Sequence, residues 1–450
     1  MNSSPGFSKR ALSRRSFLQK TGLALGAALA FPDIIPARAL GLNNTVSPSN
    51  RIVLGALGMG QGHFNMSRFL DMADVQVVAV CDLDRKNRER GMKTVNDKYS
   101  NQDARGYSDF REMFAKEKLD AAVLAAPDHW HGVHSVTAAR AGINIFGEKP
   151  LAHTLAEGRA ICEAVRANDV VWQTGSWQRS VPNFRQAVEL VRNGRIGKIT
   201  RVDVGLPARF DRGQVKPPRA RKENEPIPDG LDYDLWVGPS PWHDYDSRIT
   251  HYNWRWNLKF GGGNLMDWIG HHLDIAHWAM DLDRTGPVKV TGTGDYGEDE
   301  AWDAEYRFNC VCTYANDLVI TIGSEIKGGA TFHGEKGWIR VDRGVLEASD
   351  PKILLESTRD DEIHVYRSDN HWRNFIDCIK DRRTTVTPCE TAHRSASVGH
   401  LGHIAIRTGR AITWDPVAEK IVNDPGATDL LTPKFRAPWN FADIAPKAGK

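Results

Sequence analysis

The stretch Arg51-Ile52-Val53-Leu54-Gly55-Ala56-Leu57-Gly58-Met59-Gly60-Gln61-Gly62-His63 runs an apolar strand directly into a glycine turn, and a helical pattern follows. That order suits a pyrophosphate, because glycines let the turn approach the phosphates while the amides and dipole of a helix N-terminus attract them. Gly58 and Gly60 occupy the first two positions of G-x-G-x-x-G. The third falls on His63, with Gly62 one place early, so the turn departs from the strict register. A second apolar run, Val75 to Cys81, ends in Asp82, about 24 residues after Gly58 and close to the usual interval of about 20. A carboxylate there accepts both adenosine ribose hydroxyls and repels a 2′-phosphate, which favours NAD; Arg85 nearby keeps NADP open.

The apolar run from Leu119 ends at Ala126 and opens into Pro127-Asp128-His129-Trp130-His131, and Ile143 to Phe146 leads into Gly147-Glu148-Lys149-Pro150. The ends of parallel strands converge on one crevice, so both loops are expected at the nicotinamide side. The fold class predicted is α/β, with an NAD(P)-binding Rossmann domain over 50–175. From 176 to 450 the pattern changes to mixed helices and strands. Pro182 to Asn193 and His371 to Asp381 read as helices, Val311 to Ile322 alternates, and Gly328-Gly329, Gly334 to Gly337 and Arg343-Gly344 mark turns. An α+β domain with a large, mainly antiparallel open sheet is expected there, serving substrate binding and oligomerisation. Lys216 to Pro228, rich in proline and charge, reads as a long exposed loop.

The segment Gly261-Gly262-Gly263 opens a helical run in which Asp267, His271 and Asp274 fall at i, i+4 and i+7, on one face. An acid and an imidazole then share one wall of a cleft. His272 points about 100° away and reads as a packing or interface residue. Asp and His at this spacing also suit a metal, with Asp274 and His277 nearby, but no cysteine joins them and no metal is expected. His400 and His403 lack a partner acid at ligand spacing and read as structural.

The glycine turn, the Asp82 strand end, the P-x-x-x-H segment Pro127 to His131, Glu148-Lys149-Pro150 and the D-x-x-x-H pair Asp267/His271 resemble, in order and spacing, the Gfo/Idh/MocA oxidoreductases, the glucose/fructose oxidoreductase and inositol dehydrogenase type. The resemblance covers nearly all of the chain after residue 50. It implies that Lys149 lies beside nicotinamide and substrate, that His271 accepts the substrate proton and that Asp267 binds a substrate hydroxyl. The cofactor residues expected are Gly58, Met59, Gly60, Gln61, Asp82, Ala126, Pro127, His131, Glu148 and Lys149. Substrate contacts are expected from Gln178, Arg179, Trp254, Arg255, Asp267 and His271, the tryptophan as a stacking surface for a sugar ring. The family's use of such a sheet for self-contact implies a homodimer or homotetramer.

Ahead of this lies Ser13-Arg14-Arg15-Ser16-Phe17-Leu18, an apolar run from Gly22 to Phe31, and Ala37-Arg38-Ala39. It resembles a twin-arginine signal peptide (1–39) followed by a linker (40–49), which implies a periplasmic or secreted protein. The apolar core is about ten residues and a span needs about 20, so no stable membrane span is expected after processing. That route carries folded proteins and leads away from free nucleotide, so the NAD(P) is expected to be tightly bound. A ping-pong exchange between two sugars fits the same circumstances.

The 59 basic and 56 acidic residues, net +3, form no basic stripe, and no nucleic-acid partner is expected. The six cysteines have neither the density nor the spacing of a disulfide framework and read as buried thiols. The activity implied is hydride transfer between nicotinamide and a sugar or polyol. Two alternatives stay open: a redox-assisted glycosidase, which returns its hydride, and a sugar-binding protein with no turnover.

Overall fold

The computed structural model describes residues 46–207, 222, 224–297, 301–422 and 424–445. The signal-peptide and linker readings up to residue 45, and most of the Lys216–Pro228 loop, lie outside the described residues. Residues 52–450 form one unit, distinct from 1–51.

Six parallel strands open the larger unit: β1 (Ile52–Leu57), β2 (Val75–Cys81), β3 (Arg105–Tyr107), β4 (Ala121–Leu124), β5 (Asn144–Gly147) and β6 (Trp172–Thr174). Their order is β3-β2-β1-β4-β5-β6, the doubly wound arrangement. Helices cover both faces: α1 (Gly62–Leu70), α2 (Arg85–Tyr99), α3 (Phe110–Lys116), α4 (His131–Arg140) and α5 (Leu155–Ala167). Burial on both faces is why β1, β4 and β5 read as continuous apolar runs rather than alternating ones. Leu54, Val77, Val123 and Ile145 are at most 1% exposed, each removing enough apolar surface for roughly 1.5–3 kcal/mol.

After α6 (Pro182–Arg192) comes β7 (Ile199–Gly205), a short α7 (Tyr233–Val237), and α8 (Gly263–Ala279), the helix opened by the glycines. Then follow β8 (Lys289–Tyr296), β9 (Glu305–Thr313), β10 (Val319–Gly323), β11 (Gly329–Gly334), β12 (Gly337–Asp342) and β13 (Val345–Ala348). With β14 (Ile412–Asp415) and β15 (Lys420–Ile421) they form a nine-stranded sheet, β13-β12-β11-β7-β10-β9-β8-β14-β15. It is antiparallel apart from the β7/β10 pair. The alternation read over 311–322 resolves into two strands, β9 and β10, around a turn.

Helix α8 packs on β7, β9 and β11 on one side and on α6 and α10 (Cys389–Thr408) on the other. Almost every side chain on it is therefore buried, which explains an apolar composition that goes all round the helix. Helix α9 (His371–Asp381) returns to the parallel sheet, where Phe375 lies 6.0 Å from Phe69 and 5.8 Å from Phe146 between ring centroids. All six cysteines are free and buried. No helix among the described residues is long and apolar enough to cross a membrane.

Candidate active site

Gly58 has φ +84°, and a Cβ on it would lie 2.4 Å from the Ala125 carbonyl oxygen, so the tight turn out of β1 requires glycine there. A Cβ on Gly60 would meet nothing within 4 Å; this is the open side of the turn. At Gly62 a Cβ would lie 2.6 Å from Ala125 Cβ. Gly62 thus performs the close helix–strand packing that the motif assigns to its third glycine, which accounts for the register departure. His63 instead turns away to Thr94 Oγ1, 2.9 Å. No side chain caps the N-terminus of α1, so its amides stay available to an anion.

The turn forms one wall of a cavity of about 400 Å³. Gly58, Gly60, Gln61, Asp82, Ala126, Pro127, His131, Glu148 and Lys149 line it. Met59 does not: its side chain is fully buried beneath Gly91, and only its amide takes part, donating to Asp82 Oδ2 at 2.6 Å. Asp84 N donates to the other oxygen at 2.8 Å. Burial raises the Asp82 carboxyl, and these two amides oppose the shift. Each carboxylate oxygen keeps a second lone pair, so Asp82 still fits a ribose diol. His131 spans Ala126 O (2.9 Å) and Pro150 O (2.8 Å) and ties the two strand-end loops together. Leu231, Trp236, Tyr252 and Trp254 close the cavity from the second half of the chain.

Lys149 reaches α8, donating to Asp267 Oδ1 at 2.7 Å and Asp267 O at 2.8 Å. The approach depends on Gly270, where a Cβ would stand 3.1 Å from Lys149 Cβ. Arg255 Nε lies 3.4 Å from the same Oδ1, and its Nη2 donates to Gln61 Oε1 at 2.6 Å, so this guanidinium joins the glycine turn to α8. Burial alone would raise the Asp267 carboxyl, but the charges of Lys149 and Arg255 and their hydrogen bonds outweigh it and hold it at about 2. His271, one turn on, is buried, and its Nδ1 has no hydrogen-bond partner. Burial first, then the charges of Lys149 and Arg343, keep it well below 6.5, hence neutral. Trp268 and Trp177 flank it, with ring centroids at 5.6 and 6.3 Å.

Other expected contacts are placed differently. Arg179 is not at the cleft: it is 2% exposed, with Nε 2.7 Å from Asp274 Oδ2 and Nη2 2.8 Å from Asp283 Oδ1, so both Arg179 and Asp274 are committed to an internal ion pair. Gln178 is buried under His271, donating to its carbonyl at 3.4 Å. Trp254 and Arg255 line the nucleotide cavity beside Lys149, and Arg255 also reaches Asp267. His272 stacks on Trp268, centroids 5.4 Å apart. His403 does find an acid: Glu305 Oε1 is 3.0 Å from its Nδ1, while its Nε2 donates to Gly262 O at 2.9 Å.

The sequence reading passed over Asp128, although it sits in the P-x-x-x-H segment. It is buried at the cavity wall, and desolvation raises it far above the ordinary carboxyl range despite nearby Arg255 and Lys149. Gly270 was missed too; its only signal is a glycine inside a helix beside a histidine.

Residues 50–176 match the Gfo/Idh/MocA oxidoreductase family's NAD-binding Rossmann fold, and residues 181–441 match that family's C-terminal alpha/beta domain. The chain belongs to the Gfo/Idh/MocA oxidoreductase family. Open space at Gly60, the uncapped helix, Asp82 and the cavity fit a dinucleotide, and NAD is the cofactor. The chain is 30% identical to the myo-inositol 2-dehydrogenase of Thermotoga maritima over 50% of its own length and 54% of that protein's. To the D-xylose 1-dehydrogenase (NADP(+)) of Hypocrea jecorina it is 28% identical, over 31% and 37%. It therefore spans about a third to a half of these curated relatives. The WlbA dehydrogenase of Bordetella pertussis, solved with NADH and UDP-GlcNAcA, superposes with TM-score 0.60 at 19% identity, covering 81% of this chain and 99% of that one. An aldose-aldose oxidoreductase from Caulobacter crescentus, complexed with glycerol, gives 0.57 at 19% identity, covering 81% and 99%.

Proposed function

We propose that this protein is an exported NAD-dependent oxidoreductase acting on a secondary hydroxyl of a sugar or polyol. The observation that carries the reading is Lys149 bound to Asp267 at the end of the nucleotide cavity, with neutral His271 one helical turn further on. Bound nicotinamide supplies the hydride acceptor. His271, uncharged at neutral pH, takes the hydroxyl proton. Lys149, positioned by its hydrogen bonds to Asp267, donates to the same oxygen and stabilises the charge that develops there. Arg255 fixes Asp267 relative to the glycine turn, so nucleotide and proton acceptor keep one geometry.

The expected result is that the purified holoprotein reduces its nucleotide when mixed with an oxidisable sugar. Because His271 titrates well below 6.5, single-turnover rates should hold level from pH 8 to 6.5, with the acid limb lying lower. Rate–pH profiles of nicotinamide absorbance check this. A limb at or above pH 6.5 removes His271 from the role; aglycone release with no net reduction replaces the dehydrogenase by a glycosidase.

Export rests on Arg14 and Arg15 ahead of the apolar run. Replacing both by Lys should leave untrimmed protein in the cytoplasm, visible by fractionation and N-terminal mass. Normal export of the double variant would sink the twin-arginine route.

A further inference from the structure

A second, smaller cavity of about 140 Å³ lies behind the glycine bend that opens α8, lined in part by His153, Tyr296, His400, His403 and Arg407. His403, from α10, donates through Nε2 to the Gly262 carbonyl at 2.9 Å, and its Nδ1 lies 3.0 Å from Glu305 Oε1. The Glu305 side chain is fully buried, and neither of its oxygens has an aligned hydrogen bond among the described residues. Both imidazole nitrogens therefore face acceptors. A neutral imidazole donates from one nitrogen only, so without its second proton His403 must give up either Glu305 or Gly262. A buried carboxylate stripped of its counter-charge is costly, so the pair keeps a proton.

The groups around it leave that proton as the one that titrates near neutral pH. Burial holds His153, on the loop after β5, at about 4 and His400, on α10, well below 6.5, and it raises Tyr296 of β8 to about 12. Burial also works against charge on His403, as does Arg407, which faces Asp303 too. The Glu305 carboxylate and the Gly262 carbonyl outweigh them, and His403 titrates above 6.5.

The bend is the rear support of the nucleotide cavity. The Gly262 amide donates to the carboxyl of Asp128 on the cavity wall. A Cβ on Gly261 would lie 2.9 Å from Arg255 Cα and 2.8 Å from the Trp254 ring, and both of those residues line the same cavity. Arg255 in turn holds Gln61 of the glycine turn at 2.6 Å. Moving Gly262 moves this wall.

We propose that His403 and Glu305 are positioning residues for nucleotide binding: sharing one proton, they fix the Gly262 bend and with it the wall formed by Asp128, Trp254 and Arg255. Their contribution is complete at and below pH 6.5 and is lost as pH rises through the raised His403 value, so NAD is held less firmly on the alkaline side.

The test is a chase. Holoprotein carrying NADH is mixed with excess NAD, and the loss of bound-NADH fluorescence gives the release rate from pH 6.5 to 9. Wild type should release about tenfold faster at the alkaline end, the size of an ordinary coupling between linked sites. Glu305→Gln should release slowly at every pH, because its amide donates to Nδ1 of the neutral ring and both contacts survive. His403→Ala should release fast throughout; should it fail to fold, the Glu305→Gln comparison decides. Thermal midpoints should fall over the same range in wild type and not in Glu305→Gln. A wild-type release rate that ignores pH, a pH dependence that persists in Glu305→Gln, or slow release from folded His403→Ala overturns the proposal. So does a slope confined to the thermal midpoints, which leaves the pair a structural role only.

Discussion

Replacing His271 by alanine should lower single-turnover reduction of the bound nucleotide by about 10² to 10⁴, the usual worth of a positioned acid or base. Nucleotide affinity should change little, because His271 is not part of the cavity lining. His272→Ala is the control. That ring is stacked on Trp268 and faces Asp342, so its loss should cost packing and much less turnover. Lys149→Ala should lower turnover and also disturb substrate binding, since its ammonium acts on the substrate oxygen in both ground and transition states. An inactive His272→Ala beside an active His271→Ala would show that the wrong histidine had been chosen. Full activity in both would end the acid/base assignment.

The parallel sheet was legible because its local signals agree. Apolar run, glycine turn and acid fall within about 30 residues, and β1 and β2 coincide with the runs read from the chain to within one residue. The helix carrying Asp267 and His271 was legible for a similar reason: three glycines announce its start, and its face follows from a period of 3.6. The nine-stranded sheet was legible only as a class. Its strand order depends on pairings such as β7 with β10, more than a hundred residues apart, which no local pattern records.

The same limit explains the misplaced contacts. The sequence puts Arg179 in the substrate set, whereas its partner Asp274 lies 95 residues away, two turns beyond Asp267 on α8. Glu305 and His403 meet because β9 and α10 pack against each other beside the glycines that open α8. Arg343 comes into play through the sheet alone. Periodicity gives a helix its faces, but which face meets charge, cavity or core is decided by elements folded elsewhere.

Arg179→Ala separates a structural role from a substrate contact. The guanidinium is 2% exposed, and it donates to Asp274, which is 1% exposed, and to Asp283. Burial raises the Asp274 carboxyl despite the arginine, so the pair is poised between desolvation and attraction. Removing the arginine leaves Asp274 buried without its cation. The expected destabilisation is about 3–5 kcal/mol, the usual result of breaking one side of a buried pair. Equilibrium denaturation of the variant reads it directly. Replacing Arg179 and Asp274 together by apolar residues, Arg179→Met with Asp274→Leu, should recover part of the loss, because the fully buried carboxylate goes with its cation and the remaining partner, Asp283, is 27% exposed and can be solvated. Near its own optimum temperature the double variant should also keep the wild-type KM for whichever sugar is turned over, since neither side chain reaches the cleft. Should Arg179→Ala keep wild-type stability and raise KM instead, the arginine belongs to the substrate site and the ion pair seen here gives way when substrate binds.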